Sequence, residues 1–259
     1  MSEIQRPGAL YQQVAAVMRE AILSGEFAPE SLLPSEAQLM TRYGVSRPTV
    51  RNAIAALRAE GLIDVRHGKG SFVRSDGQPP LTIERRISRT TDGTFVMPNG
   101  DLWQETEEPS TYRTRTTTAT GRLLQLGVEE ELFGCDRLLI DPGTGTRAMH
   151  RMLIPFEIAE TVPLLSEEPY QPPAAIYRLL TQAGHKLSWA ETVRARMPLP
   201  DERTALQLPD ATPVLYVART AHGTDDDPLI LEELRFGADR AELAYRITAD
   251  KQPTRRPRA

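Results

Sequence analysis

Thirty residues constrain this chain more than any others: GVSRPTVRNAIAALRAEGLIDVRHGKGSFV, residues 44–73, runs from a helix that begins among arginines to a glycine-bracketed lysine in a tight turn. Ser46 is a good N-cap. Pro48 is tolerated just inside the helix, because the first turn has no acceptor for its missing N–H. Val50, Ala53, Ile54 and Leu57 recur at three- and four-residue spacing as an inward stripe, leaving Arg47, Thr49, Arg51 and Asn52 on or near the outer side. Gly61 ends the helix, and residues 62–65 and 71–73 read as two short strands joined by a glycine-rich turn.

Upstream, Leu10, Val14, Val17, Met18, Ala21 and Ile22 mark a helix over about residues 10–23, with Gly25 as its stop. PSEAQ opens a second helix with Ser35 as cap and Gln38 at the capping-box spacing; Leu39, Met40 and Tyr43 form its buried face, and Gly44 permits a sharp turn. Three helices followed by a hairpin make a winged helix-turn-helix.

Charge gives this unit a use. The 259-residue chain has a net charge of -4, but from Arg42 to Arg74 seven basic residues meet only two acidic ones, a local +5 that leaves -9 elsewhere. The unpaired N–H groups and positive dipole end of a helix N-terminus favour phosphate, to which Ser46 and Thr49 add hydroxyls. Arg47 and Arg51, four apart, share one helix edge and can grip guanine edges or phosphates. Gly68 and Gly70 let the wing backbone approach a duplex, with Lys69 and His67 along a phosphate or groove edge. The expected DNA-facing set is Ser35, Ser46, Arg47, Thr49, Arg51, His67, Gly68, Lys69 and Gly70. The bland alternative is a solvated helix face and an ordinary hairpin turn.

Residues 75–80, SDGQPP, read as a linker. Strands are then expected at 131–141, 146–155, 187–199, 213–223, 229–237 and 241–248, with helical stretches near 158–165, 174–183 and 201–206. This is an α+β domain on a mainly antiparallel sheet. The domain scheme is 1–74, linker 75–80, 81–250, and a disordered tail 251–259. The single cysteine, Cys135, excludes an intrachain disulfide and a cysteine-based zinc cluster, which favours a cytoplasmic location. No signal peptide or membrane span is legible. His67, His150, His185 and His222 are scattered, and no catalytic constellation, metal site or cofactor motif emerges, so no enzyme activity is expected. Asp225, Asp226 and Asp227 read as a solvated turn, and Trp103 and Trp189 as packing residues or an aromatic pocket wall.

LLPSEAQLMTRYGVSRPTVRNAIAALRAEGLIDVRHGKGSFV resembles the N-terminal domain of the GntR family over nearly its whole length, including the P-S-E, the V-S-R-x-T-V-R and the G-x-G wing. The resemblance implies a transcriptional regulator, commonly a repressor, that binds double-stranded operator DNA as a homodimer, with Arg47, Thr49 and Arg51 on the DNA and Gly68 in the wing. Many members have arginine where this chain has Ala37. Residues 81–250 are similar to the UTRA domain of the HutC branch, best at AIYRLLTQAGH and PLILEELRFGADRAELAYRI. That similarity implies a chorismate-lyase-like fold that binds a small effector without chemistry, with Arg137 and Glu233 in the pocket and Arg151 and Tyr177 as further candidates. Leu139 and Ala175 stand where sugar-phosphate-binding members carry arginine and serine, so a different, more apolar effector is expected. Arg137 could instead pair with a carboxylate on the sheet and Glu233 could face solvent. Alternatives to a sensor are a purely dimerising domain or a lyase-like enzyme.

Overall fold

The computed structural model describes residues 9–66, 68–74, 80–98, 100–209 and 211–247. His67, most of the 75–80 linker and the 251–259 tail lie outside the described residues.

The head is built from α1 (Leu10–Leu23), α2 (Glu36–Tyr43), α3 (Arg47–Ala59) and the antiparallel pair β1 (Ile63–Arg66) and β2 (Gly70–Val73). Val14, Met18 and Ala21 of α1 pack on Leu39, Val50, Ala53 and Leu57, closed by Ile63 and Val73 of the hairpin. Leu10 and Val17 are exposed, so the stripe of α1 is narrower than its sequence suggests, with Ala15 buried in their place. Gly44 takes the left-handed conformation that turns α2 into α3 (φ 63°). Gly61 (φ 76°) ends α3, and the Leu62 N–H reaches back to the Leu57 carbonyl at 3.0 Å in a Schellman-type closure.

The body follows as β3 (Leu81–Glu84), β4 (Ser88–Arg89), β5 (Phe95–Val96), a 3₁₀ turn at Gly100–Leu102, β6 (Gln104–Glu105), β7 (Ser110–Arg115) and α4 (Thr118–Leu124). Next come β8 (Glu131–Ile140), β9 (Arg147–Pro155), α5 (Phe156–Thr161), α6 (Pro163–Glu167) and α7 (Pro173–Gln182). The chain continues through β10 (Ser188–Arg196), α8 (Pro200–Ala205), β11 (Val214–His222), β12 (Pro228–Gly237) and β13 (Ala241–Ala244). The expected helix at 158–165 is two helices. The Val162 backbone is extended, and Pro163, unable to donate within a continuing helix, starts the second.

One sheet dominates, in the order β10-β11-β12-β9-β8-β6 with β7 also on β8, and its pairings are antiparallel. The last expected strand is short and leaves this sheet to pair in parallel with β3. One face packs Met152, Ile154 and Ile230 against Leu165, Ile176, Tyr177 and Leu180 of α6 and α7. On the other, Leu153, Leu231 and Tyr216 meet Leu124 of α4, while Leu206 and Leu208, just after α8, meet Val214.

Arg74, the first residue after β2, joins head to body. Its guanidinium pairs with Asp239 in the β12–β13 turn, donates to Thr212 Oγ1 at 2.7 Å and reaches the Gly61 carbonyl at 3.4 Å.

Candidate DNA-reading surface and ligand cavity

At the start of α2, Ser35 and Gln38 close a reciprocal box: the Ser35 N–H and hydroxyl donate to Gln38 Oε1 at 2.8 and 2.9 Å, and the Gln38 N–H donates back to Ser35 Oγ at 3.3 Å. Ser35 is thereby spent on capping. Ser46 differs from expectation: it occupies the N-cap position of α3, but its hydroxyl lies 2.9 Å from that of Thr49 and makes no cap bond to the backbone. Two hydroxyls so coupled remain at the helix start beside the arginines.

Arg47 and Arg51 are brought together by a residue the sequence reading passed over. Glu36 accepts from Arg47 Nε at 2.9 Å through one oxygen and from Arg51 Nε at 3.0 Å through the other. The two arginine side chains are 65% and 67% exposed, that of Glu36 30%. The Arg51 hydrogen bond, outweighing slight desolvation and assisted by Arg47, holds the Glu36 carboxyl below the usual carboxylate range. Its signal was the P-S-E itself: eleven and fifteen residues separate Glu36 from its partners, too far for helix spacing to reveal. In the wing, Gly68 (φ 70°) and Gly70 (φ 106°) take backbone conformations that side chains rarely adopt, and exposed Lys69 sits between them. A Cβ on Gly70 would also meet Leu32 Cδ1 at 2.8 Å.

In the body, a cavity of about 530 Å³ lies on the sheet face that carries Arg137, Leu139, His150, Val217, Arg219, Glu232 and Leu234. It is roofed by Ile83, Arg85, Phe95, Met97, Trp103 and Glu105, and flanked by Pro172 to Ala174 at the start of α7. Arg137 donates through Nε to Glu105 at 3.1 Å and through one terminal nitrogen to the Tyr170 carbonyl at 2.9 Å, while its buried Nη1 has no hydrogen-bond partner.

Deeper in, charge is matched. Arg85 and Arg219 both hold Glu191, at 2.5 and 2.6 Å. Glu232 accepts from the Tyr177 hydroxyl and from His150 Nε2 at 3.2 Å; since a carboxylate can only accept, that nitrogen carries the hydrogen. Burial opposes the charge on Glu232, but His150, Arg219 and Tyr177 together bring its pKa down to about 2.

The four expected pocket residues do not converge. Arg137 lines the cavity. Glu233 and Arg151 are register partners on β12 and β9 but point to the opposite face. There Arg151 forks onto Asp136 at 2.7 Å twice, and Glu233 takes Tyr216 at 2.5 Å and Arg235 at 2.9 Å. Tyr177 is wholly buried behind Glu232. The carboxylate on the cavity face is Glu232, one residue from the expected Glu233. Every residue of β12 is buried, so no alternation of exposure marks which parity faces the cavity. Trp103 is a cavity wall, whereas Trp189 packs edge-on against Phe95 and Tyr177. Asp225 to Asp227 form an exposed turn, and no cluster of metal-ligating side chains occurs among the described residues. Among those residues no helix is long and apolar enough to cross a membrane.

A winged helix with an arginine pair on its third helix, joined to a sheet domain that holds a cavity, is the architecture of a DNA-binding protein with a second, cavity-bearing domain. Comparison with known proteins agrees. The profile of the bacterial regulatory proteins of the gntR family matches residues 10–73, and that of the UTRA domain matches residues 157–242. The HTH-type transcriptional regulator Rv0792c of Mycobacterium tuberculosis is 30% identical over 225 residues, 84% of this chain and 78% of its own length. The Histidine utilization repressor of Pseudomonas aeruginosa is 27% identical, over 82% of this chain and 81% of its own. Another M. tuberculosis regulator, Rv0494, is 48% identical, but this chain spans only 26% of its length. The crystal structure of a GntR-family transcriptional regulator superposes with a TM-score of 0.68 at 23% identity, covering 94% of this chain and 99% of that one. The chain belongs to the GntR family and is a DNA-binding transcriptional regulator with a UTRA domain.

Proposed function

We propose that this regulator is a cytoplasmic repressor that binds its operator as a homodimer through residues 1–74 and is released or retained by a small molecule held in the domain of residues 81–250. It performs no catalysis. Ser46, Arg47, Thr49 and Arg51 face the duplex from α3, and Gly68, Lys69 and Gly70 from the wing. The observation that carries this reading is the Glu36 bridge. It occupies the Nε of both arginines and leaves the Nη ends of two adjacent guanidinium groups at the surface, poised for base edges. Sensing is supported by the cavity and its buried, charge-matched floor, whose ligand would couple to operator binding by linkage.

The test is fluorescence anisotropy with the full chain on a selected operator and on random duplex. Arg47→Ala and Arg51→Ala should each remove about 1–3 kcal/mol of specific binding while changing random-duplex binding far less. Equal losses on both duplexes would overturn the assignment of these two residues to base reading.

A further inference from the structure

The cavity's charge arrangement identifies the chemistry it is built to hold. This rests on the sensor reading above. We infer that the ligand is a small, mainly apolar molecule bearing a single carboxylate, seated against Arg137, and that phosphate monoesters are rejected.

Cations near the cavity are few once their partners are counted. Arg85 and Arg219 converge on Glu191 at 2.5 and 2.6 Å, and their side chains are 11% and 4% exposed. Glu232 lies in register opposite Arg219 and already holds Tyr177 and His150. If either arginine turned to a ligand, a single guanidinium would be left beside two largely buried carboxylates, Glu191 and Glu232, which is strongly unfavourable. Arg137 is different. Its side chain is 8% exposed, its charge is shared with the half-exposed Glu105, and its Nη1 is buried with no acceptor. A buried donor left unpaired is costly, and an oxygen of a bound ligand would satisfy it.

One partly neutralised guanidinium matches one negative charge. A phosphate dianion needs several donors and cations, yet the next residue on this strand face is Leu139, and Glu84, Glu105 and Glu232 also line the site. The remaining wall is hydrocarbon and aromatic: Ile83, Phe95, Met97, Trp103, Val217 and Leu234. At about 530 Å³ the space has the size of a metabolite pocket. An apolar body would displace water from these walls, and the carboxylate would fix its orientation.

Isothermal titration of the full chain with four probes tests this: 4-phenylbutanoate, its alcohol 4-phenylbutanol, phenyl phosphate and glucose 6-phosphate. The carboxylate should bind about tenfold or more tightly than the alcohol, the equivalent of one charge-assisted hydrogen bond. Both phosphates should bind more weakly still. In Arg137→Gln the advantage of carboxylate over alcohol should vanish while alcohol binding persists, showing that the apolar cavity is intact. Tight binding of either phosphate would overturn the ligand class and leave the sensor reading standing. Persistence of the carboxylate preference in Arg137→Gln would remove Arg137 from the site. Failure of all four probes to bind the folded wild-type chain would overturn the ligand class, and the sensor reading would fall with it only if a metabolite library also left the chain's thermal midpoint unchanged.

Discussion

Head and body use the same ion pair in opposite ways. Arg47 and Arg51 share Glu36 at the surface, with two-thirds of each arginine side chain exposed. Arg85 and Arg219 share Glu191 in the interior, where the three side chains are 4–12% exposed. An exposed pair contributes little to folding, so its cations can exchange a carboxylate for a nucleic acid at small cost. A buried pair is expensive to break and so holds a shape. The difference fits the proposed roles: arginines that are to read DNA must be easy to re-partner, whereas those that floor a cavity must keep its shape.

The sharpest way to break this contrast is to delete one carboxylate from each region. Glu232→Ala should destabilise the chain by about 3–5 kcal/mol in urea unfolding, because Arg219, His150 and the Tyr177 hydroxyl lose a common partner. Glu36→Ala should cost about 1 kcal/mol or less. Similar losses from the two would show that exposure does not separate them.

Acid gives the next largest effect. The pKa of Glu202 is held at about 2, first by the hydrogen bond from Arg196, and Glu232 also lies at about 2. Carboxyls depressed in the folded state stabilise it above their unfolded value near 4.3, and that contribution is lost as pH falls toward the folded value. Body stability, followed by near-ultraviolet circular dichroism, should therefore decline between about pH 4.5 and 2. Glu202→Gln should start lower at neutral pH and show a shallower decline.

Smaller effects sharpen the DNA side. Glu36→Gln removes the charge that orients the two arginines and repels phosphate, so operator preference over random duplex should fall about two- to fivefold. Random-duplex affinity should rise slightly. An equal drop on both duplexes would reduce Glu36 to a structural role. Lys69→Ala should change least, weakening every duplex alike and lowering the salt-dependence slope by roughly one.

The head was the more legible half for a physical reason. Helix periodicity, the Ser35–Gln38 box and the glycine stops are short-range, and the three helices, the box and the stops appear where expected, with only the α1 stripe narrower at Leu10 and Val17. The Glu36 bridge escaped because it links two helices. In the body the long strands and α7 were readable from their apolar runs. The cavity roof was not: β4, β5 and β6 have two residues each and are fixed by contacts distant in sequence. Glu232 shares the cavity face of Arg137, while Glu233 lines a smaller pocket on the opposite face with Tyr216 and Arg235, and a strand buried on both faces carries no sign of its own parity.

Arg74 sets a limit on reach. Between its contact with Asp239 and the start of β3 at Leu81 lie six residues, and a seven-residue step fully stretched covers at most about 25 Å. Even unlatched, a head stays on a short leash beside the strand that begins the cavity roof. For the homodimer proposed above, the separation of two operator half-sites would thus be dictated chiefly by how two bodies sit together, and hardly at all by wandering of the heads.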